Sequence, residues 1–207
     1  MQRDWATQVP SQHVGHMTVF TLTVATSADA YIARAIDDAP QNWASPEEQE
    51  LFFRDVEAAD WAIMGRHTHE AADRPERRRI IFSAENSGWR RPTQLWLDPS
   101  ELSPDAFAPL VSSVYPCSKG LILGGTRVHD WFLSHNAIDV INLTVEPVIF
   151  GGGLPVFGDQ RSDDPLTVFR SRGFEVASEE KLNDAGTMYY RLRRVKESHR
   201  PAKARVV

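Results

Sequence analysis

Five consecutive residues, Met64-Gly65-Arg66-His67-Thr68, place three polar donors beside a flexible backbone position. They follow Trp61-Ala62-Ile63, an apolar run that predicts a buried strand, and they open a stretch that could begin a helix. Gly65 lets the backbone turn and approach a ligand closely. Arg66 offers a planar fork of donors suited to phosphate, and His67 and Thr68 add donors beside it, along with helix-start amides. Two readings fit these residues equally well. One is an anion cradle, and the other is an ordinary strand-to-helix turn with a solvated Arg and His.

The segment Leu123-Gly124-Gly125-Thr126-Arg127-Val128-His129 repeats the same logic: a buried strand, two glycines, then a helix start. It is not the Gly-x-Gly-x-x-Gly fingerprint of dinucleotide-binding βαβ units, and the Walker phosphate-loop pattern is absent from the chain. Two cradles on neighbouring strand ends would suit a ligand with more than one phosphate, such as a dinucleotide.

A candidate acid lies upstream. Ser45-Pro46-Glu47-Glu48 reads as a helix start, with Ser45 as cap, Pro46 in the first turn and acids complementing the helix dipole. The helix is predicted to run to about Ala59 with Glu48, Phe52, Val56 and Ala59 along one face. Phe52 and Val56 are expected to be buried, so Glu48 points inward or into a cleft, unless it only complements the dipole. Other residues carry two readings each. Asp29 reaches a site or stabilises its own turn, and Trp43 and Phe52 wall a cleft or fill the core. Arg77-Arg78-Arg79 binds an anion or, as the plainer reading has it, is a solvated basic run. Gly151-Gly152-Gly153 touches a ligand or makes a structural turn. His67 and His69 have no third ligand in sight, so no metal site is expected.

The elements that must position these residues follow from periodicity and turn chemistry. Strands are predicted at 18–26, 61–64, 80–83, 94–97, 120–123 and 138–145, with 31–33 extended and 34–42 a loop. Helices are predicted at 45–59, 104–114 and 126–134. The stretch 166–194 alternates like an antiparallel hairpin turning near Asn183-Asp184-Ala185-Gly186. This pattern implies an α/β fold: a mainly parallel central sheet flanked by helices, with a C-terminal antiparallel hairpin.

Composition sets the bounds. A chain of 207 residues with 42% hydrophobic and 25% charged residues is ordinary for one soluble globular domain. A net charge of −5 argues against a nucleic-acid surface held by bulk electrostatics. No apolar run approaches membrane-spanning length, so no membrane partner is expected. Cys117 is the single cysteine, which excludes an intrachain disulfide and fits a reducing cytoplasm. Residues 1–17 lack the apolar core of a secretory signal and read as a flexible arm, and 196–207 read as a basic, frayed tail.

Over 18–195 the order of these motifs resembles the dihydrofolate reductase fold, and more closely its pyrimidine-reductase branch, which includes the reductase half of the riboflavin-biosynthesis deaminase-reductase. Ser27-Ala28-Asp29-Ala30-Tyr31-Ile32-Ala33, Trp43-Ala44-Ser45-Pro46-Glu47-Glu48 and the segment from Ile138-Asp139 through Pro147-Val148-Ile149-Phe150-Gly151-Gly152-Gly153-Leu154-Pro155-Val156-Phe157 are similar to that branch. Leu143-Thr144 is similar to the pair that closes the pterin site of dihydrofolate reductases. Two features depart from the family: Ala30 stands where it has glycine, so a positive φ there would be strained, and 34–42 lacks the usual Leu-Pro before Trp43. There is also no deaminase half and no Cys/His zinc signature.

The resemblance implies an NADPH-dependent oxidoreductase acting on a pyrimidine, a pterin or a related heterocycle. Dihydrofolate reductase proper and a non-catalytic NADPH-binding protein are the alternatives. It implies that Gly65, Arg66, His67 and Thr68 take the adenosine-side phosphates, with Ser83 also on the cofactor. Gly124, Gly125, Thr126, Arg127 and Val128 take the pyrophosphate, and Ala25 and Ala33 flank the nicotinamide. Glu48 and Thr144 become the catalytic pair, with Asp29, Trp43 and Phe52 on the substrate side. By analogy with the riboflavin branch, a homodimer through the C-terminal hairpin is expected.

Overall fold

The computed structural model describes residues 18–85 and 87–195, so the arm expected at 1–17 and the basic tail expected at 196–207 lie outside the described residues. The first strand, β1 (Val19–Thr26), shows why the sheet forms. Phe20, Leu22 and Val24 point to one face and are buried, while Thr21, Thr23 and Ala25 take the other by alternation. After β1 come β2 (Tyr31–Ala33), helix α1 (Pro46–Ala58), β3 (Trp61–Gly65), α2 (Arg66–Ala71) and β4 (Arg79–Phe82). The chain continues through β5 (Gly88–Arg91), β6 (Gln94–Leu97), α3 (Phe107–Val111), β7 (Lys119–Gly124), α4 (Thr126–Ser134) and β8 (Val140–Val145). It closes with β9 (Leu154–Pro155), α5 (Pro165–Arg170), β10 (Phe174–Lys181) and β11 (Met188–Arg194).

Nine strands form one sheet in the order β10-β11-β8-β1-β7-β3-β4-β6-β5. β8, β1, β7, β3, β4 and β6 run parallel, whereas β11, β10 and β5 pair antiparallel at the two sides. The α/β fold class, the mainly parallel sheet and the closing hairpin are all as the sequence implies. On one face the apolar core joins Phe20, Leu22, Ile63 and Ile80 to Phe107 of α3 and Phe132 of α4. Their rings meet edge-on or tilted, as where Phe20 lies 5.0 Å from Phe132. Among the described residues no helix is long and apolar enough to cross a membrane.

Sequence reading misses three elements. β5 is an exposed edge strand of Gly, Trp and two Arg, with no apolar alternation to mark it. α5 lies inside the stretch expected to be all hairpin. Asp164 caps it by accepting from the Thr167 amide, and Val168 and Phe169 are buried, a short helix whose apolar residues also mimic a strand pattern. The third is β9, which pairs with the expected extended stretch β2 in a small separate sheet, Ala33 beside Leu154. The Arg77-Arg78-Arg79 run is not solvated throughout: Arg79 is buried in β4, and Arg78 donates to the Asp60 carbonyl and stacks on Tyr115. Ala30 does adopt a positive φ of 66°, with its methyl fully buried. The left-handed conformation costs about 1–2 kcal/mol, and burial of the methyl offsets roughly 0.8 kcal/mol of it.

β7 carries the second glycine turn, and its own start is tightly packed. A Cβ on Gly120 would lie 2.5 Å from the Phe20 ring and 3.3 Å from Ile63. Gly120→Ala is therefore expected to lower the unfolding free energy by about 1–3 kcal/mol, read from a denaturant titration; an unchanged midpoint would show that the Phe20 ring can move aside.

Candidate active site

Parallel alignment puts the ends of β1, β3, β4, β7 and β8 along one edge of the sheet, and the strand order changes direction around β1, flanked by β7 and β8. Crevices at such positions are where open α/β sheets bind ligands. Both expected cradles lie here, side by side, because Met64 of β3 pairs with Gly124 of β7. Gly65 is the N-cap of α2, and Gly125 is the N-cap of α4. Arg66, His67 and Arg127 are exposed at these two helix starts and engage in no ion pair among the described residues. A Cβ on Gly125 would meet no atom within 4 Å, so open space lies over this turn. Gly124 differs: its φ is +97°, its peptide bond to Gly125 is cis, and a Cβ there would sit 2.8 Å from His129 Nε2.

His129, on α4, is a residue that sequence reasoning did not single out. It is fully enclosed, and burial pushes its pKa down to about 4 despite the nearby Val156 carbonyl. The neutral ring donates Nδ1–H to Val156 O at 2.9 Å, which leaves Nε2 as a buried, unpartnered acceptor against Gly124. Thr126 is also committed, donating from its hydroxyl to Pro155 O at 2.6 Å. Val128 is buried below them. Ser83 lies at the end of β4, but its hydroxyl closes a local turn with Glu85 rather than facing the crevice free.

The acid side lies on the other face of the sheet, under α1. Ser45 caps α1 by accepting from the Glu48 amide at 3.3 Å. Of the 13 residues in α1, only Glu48 is buried, at 4% exposed. Burial first, then the charges of Glu146 and Asp55, raise its carboxyl to about 7, so near neutrality it exists in both protonation states. Ala25 and Thr144 pair in register on neighbouring strands and are both buried, with Tyr189 of β11 beside Thr144. Asn142, on the same face as Thr144, donates to Asp55 at 2.7 Å, and Thr23 donates to it at 2.8 Å.

This polar layer corrects one expectation. Phe52 and Val56 are only half-buried, because the sheet under the second half of α1 presents Thr23 and Asn142 rather than an apolar floor. Phe52 instead meets the exposed Phe53 edge-on at 5.5 Å. Asp29 is committed to backbone donors. Its carboxylate accepts from the amides of Phe150 and Gly151 at 3.0 and 2.7 Å. Burial alone would raise its pKa, but these bonds and one from Ser27 outweigh that and hold it below the usual value. Trp43 packs edge-on against Phe150 at 5.1 Å. The Gly151-Gly152-Gly153 turn is thereby anchored to the Asp29 loop at one end and packed on β2 at the other, where a Cβ on Gly153 would overlap the Ala33 carbonyl. Glu146, Asp55, Asn142 and Thr187 complete this side, and no spacing rule in the sequence marks them. A separate polar cavity of about 320 Å³ lies by α2 and the β5–β6 edge, where His69, Asp73, Arg91 and Gln94 interact mainly with one another.

No protein-family model matches this chain, and no curated protein matches it in sequence. Solved structures do match. A candidate riboflavin biosynthesis protein from Shewanella sp. PV-4 superposes with a TM-score of 0.65 at 21% identity, over 86% of this chain and 100% of that one. The diaminohydroxyphosphoribosylaminopyrimidine deaminase/5-amino-6-(5-phosphoribosylamino)uracil reductase of Thermotoga maritima gives 0.62 at 21% identity, over 86% of this chain and 57% of that one. The present chain thus spans little more than half of that protein. Dihydrofolate reductase from Enterococcus faecalis, solved with NADP(H), gives 0.59 at 17% identity over 86% of this chain and 97% of that one. These likenesses establish the architecture reached above: the chain has the dihydrofolate reductase-like fold.

Proposed function

We propose that this protein is an NADPH-dependent reductase of a pyrimidine, pterin or related heterocycle. One observation carries the reading: two glycine turns lie side by side at the strand ends, with Arg66 and Arg127 exposed and in no ion pair among the described residues, and open space over Gly125. A diphosphate-bridged cofactor needs this arrangement, because its charge must meet fixed donors without side chains in the way. The structural neighbours support the reading, as they include a protein solved with NADP(H). Bound there, NADPH would supply a hydride. Arg66, His67 and Thr68 would hold the adenosine-side phosphates, and the α4 start, with Arg127, the pyrophosphate. Ala25 and Ala33 would leave room for the nicotinamide.

Glu48 manages the proton in this reading. It is buried at the start of α1, on the face that carries Thr144, and near pH 7 it can both hold and release a proton. Thr144 and Trp43 would bound the heterocycle. The single thiol, Cys117, is buried and free, in keeping with a reducing cytoplasm. We extend the proposal to a homodimer through the β10–β11 hairpin, whose outer strand is largely exposed.

Two measurements test the reading. Arg66→Ala should weaken NADPH binding at least about tenfold and leave NADH nearly unaffected, since removing one bidentate phosphate contact costs more than about 1.4 kcal/mol. Nucleotide fluorescence titrations read this, and equal affinity of the wild type for NADH and NADPH would remove Arg66 from the cofactor. The second measurement concerns Glu48, whose pKa is raised in the folded state. The folded protein keeps this proton up to about pH 7, whereas the unfolded chain releases it near 4.5. Stability should therefore decline as pH rises from about 4.5 to 7, by up to roughly 3 kcal/mol. Glu48→Gln should remove that slope and be the more stable form at pH 8, while losing most turnover in an assay of NADPH oxidation with dihydrofolate or an aminopyrimidine as acceptor. Parallel stability curves for the two proteins would show that Glu48 holds no proton near neutrality.

A further inference from the structure

The start of α1 is tied to the far end of the chain by a closed ring of hydrogen bonds. Glu146, 3% exposed just beyond β8, accepts on Oε1 from the Ser45 amide at 2.8 Å and the Ser45 hydroxyl at 2.7 Å. Its Oε2 accepts from the hydroxyl of the fully buried Thr187 at 2.7 Å. Asn183 Nδ2 donates to Thr187 Oγ1 and to Glu47 Oε2, both at 3.0 Å. Glu47 is in the first turn of α1, so the ring closes through the helix itself. Asn183 Oδ1 accepts from the amides of Gly186 and Thr187, which fixes the hairpin turn, and the Glu146 amide donates to Thr26 O at 2.8 Å, which fixes the strand side.

This ring treats the two buried acids differently. Both oxygens of Glu146 are occupied by donors. Glu48 enters the network only through its backbone amide, donated to Ser45 Oγ, and its carboxyl is left outside it. The charged groups facing Glu48 are Glu146, from the end of β8, and Asp55, from α1 itself; Thr23 and Asn142 engage Asp55, with Arg54 3.8 Å from it. A neighbouring carboxylate in a low-dielectric site disfavours ionisation of Glu48, whose own carboxyl has no donor among the described residues.

We propose that Glu146 is a positioning residue for this site: through Ser45, Thr187, Asn183 and Glu47 it fixes the first turn of α1, confines the exchangeable proton to Glu48, and makes the C-terminal hairpin turn part of the machinery. The role assigned to Glu48 rests on the reductase reading, but neither ring nor proton needs cofactor or substrate to be observed. The test is carboxyl ¹³C NMR of the cofactor-free protein across pH 4 to 9, with Glu48 assigned by loss of its signal in Glu48→Gln. In Glu146→Gln, which keeps the shape and removes the charge, the Glu48 midpoint should fall by about one unit or more. A merely structural role would shift the melting temperature and leave that midpoint in place, and an unchanged midpoint overturns the proposal. Asn183→Ala, in a half-buried turn, keeps the question open to test if Glu146→Gln does not fold. Amide exchange at Glu48 and Gln49 should accelerate by about tenfold as the ring opens; exchange as slow as in the wild type would also overturn it. If NADPH fails to bind while both shifts appear, the reductase reading fails and the ring stands.

Discussion

Parallel strands cannot be joined by tight turns, so every return across the sheet needs a crossover of a dozen or more residues. Six strands of this sheet run the same way, and that constraint organises the rest of the molecule. It fills both faces with connecting segments and brings the strand ends to one edge. There the chain must leave each strand and start a helix or loop. Free amides, glycines and arginines thereby collect at β3 and β7, where side chains distant in sequence become neighbours.

The two faces are built on different physics. Beneath α3 and α4 lies an interlocking aromatic core, in which Phe20, Phe82, Phe107, Trp131 and Phe132 contact one another. Dense apolar packing of this kind resists rearrangement. Beneath α1 there is little such packing. Its anchors are directional: Ser45 with Glu146 at one end, and Asp55 with Thr23 and Asn142 at the other. A helix held by a few charge-assisted bonds is located at its anchor points, and its aromatic residues are left partly exposed.

The two glycine turns were legible in the sequence because their signals are local. Gly65-Arg66 and Gly124-Gly125 each occupy a strand-to-helix turn, and turn chemistry is decided by neighbouring residues. The helix cap at Ser45 and the hairpin turn at Asn183 were legible for the same reason. Expectations failed where local pattern and tertiary setting diverge. Phe52 and Val56 look like a buried stripe, yet the sheet below them is polar. Arg79 looks like part of a solvated run, yet it lies in a strand under α2 and donates to His69. Asp29 carries two readings, a site or its own turn, and its carboxylate engages the Phe150 and Gly151 amides of a loop distant in sequence.

The sequence by itself determined most of the strands and helices, the parallel sheet with its closing hairpin, both glycine turns, and Glu48 as the inward acid of its helix. Only the tertiary structure decided what surrounds that acid. Glu146 is 98 positions away in the chain, Thr187 lies farther still, and neither belongs to a pattern with a period or a fixed spacing. Their proximity comes from β8 lying between β1 and β11, a pairing set by long-range hydrogen bonding. Local propensity names the group that can carry a proton; the electrostatics that hold it there depend on which strands the fold makes adjacent.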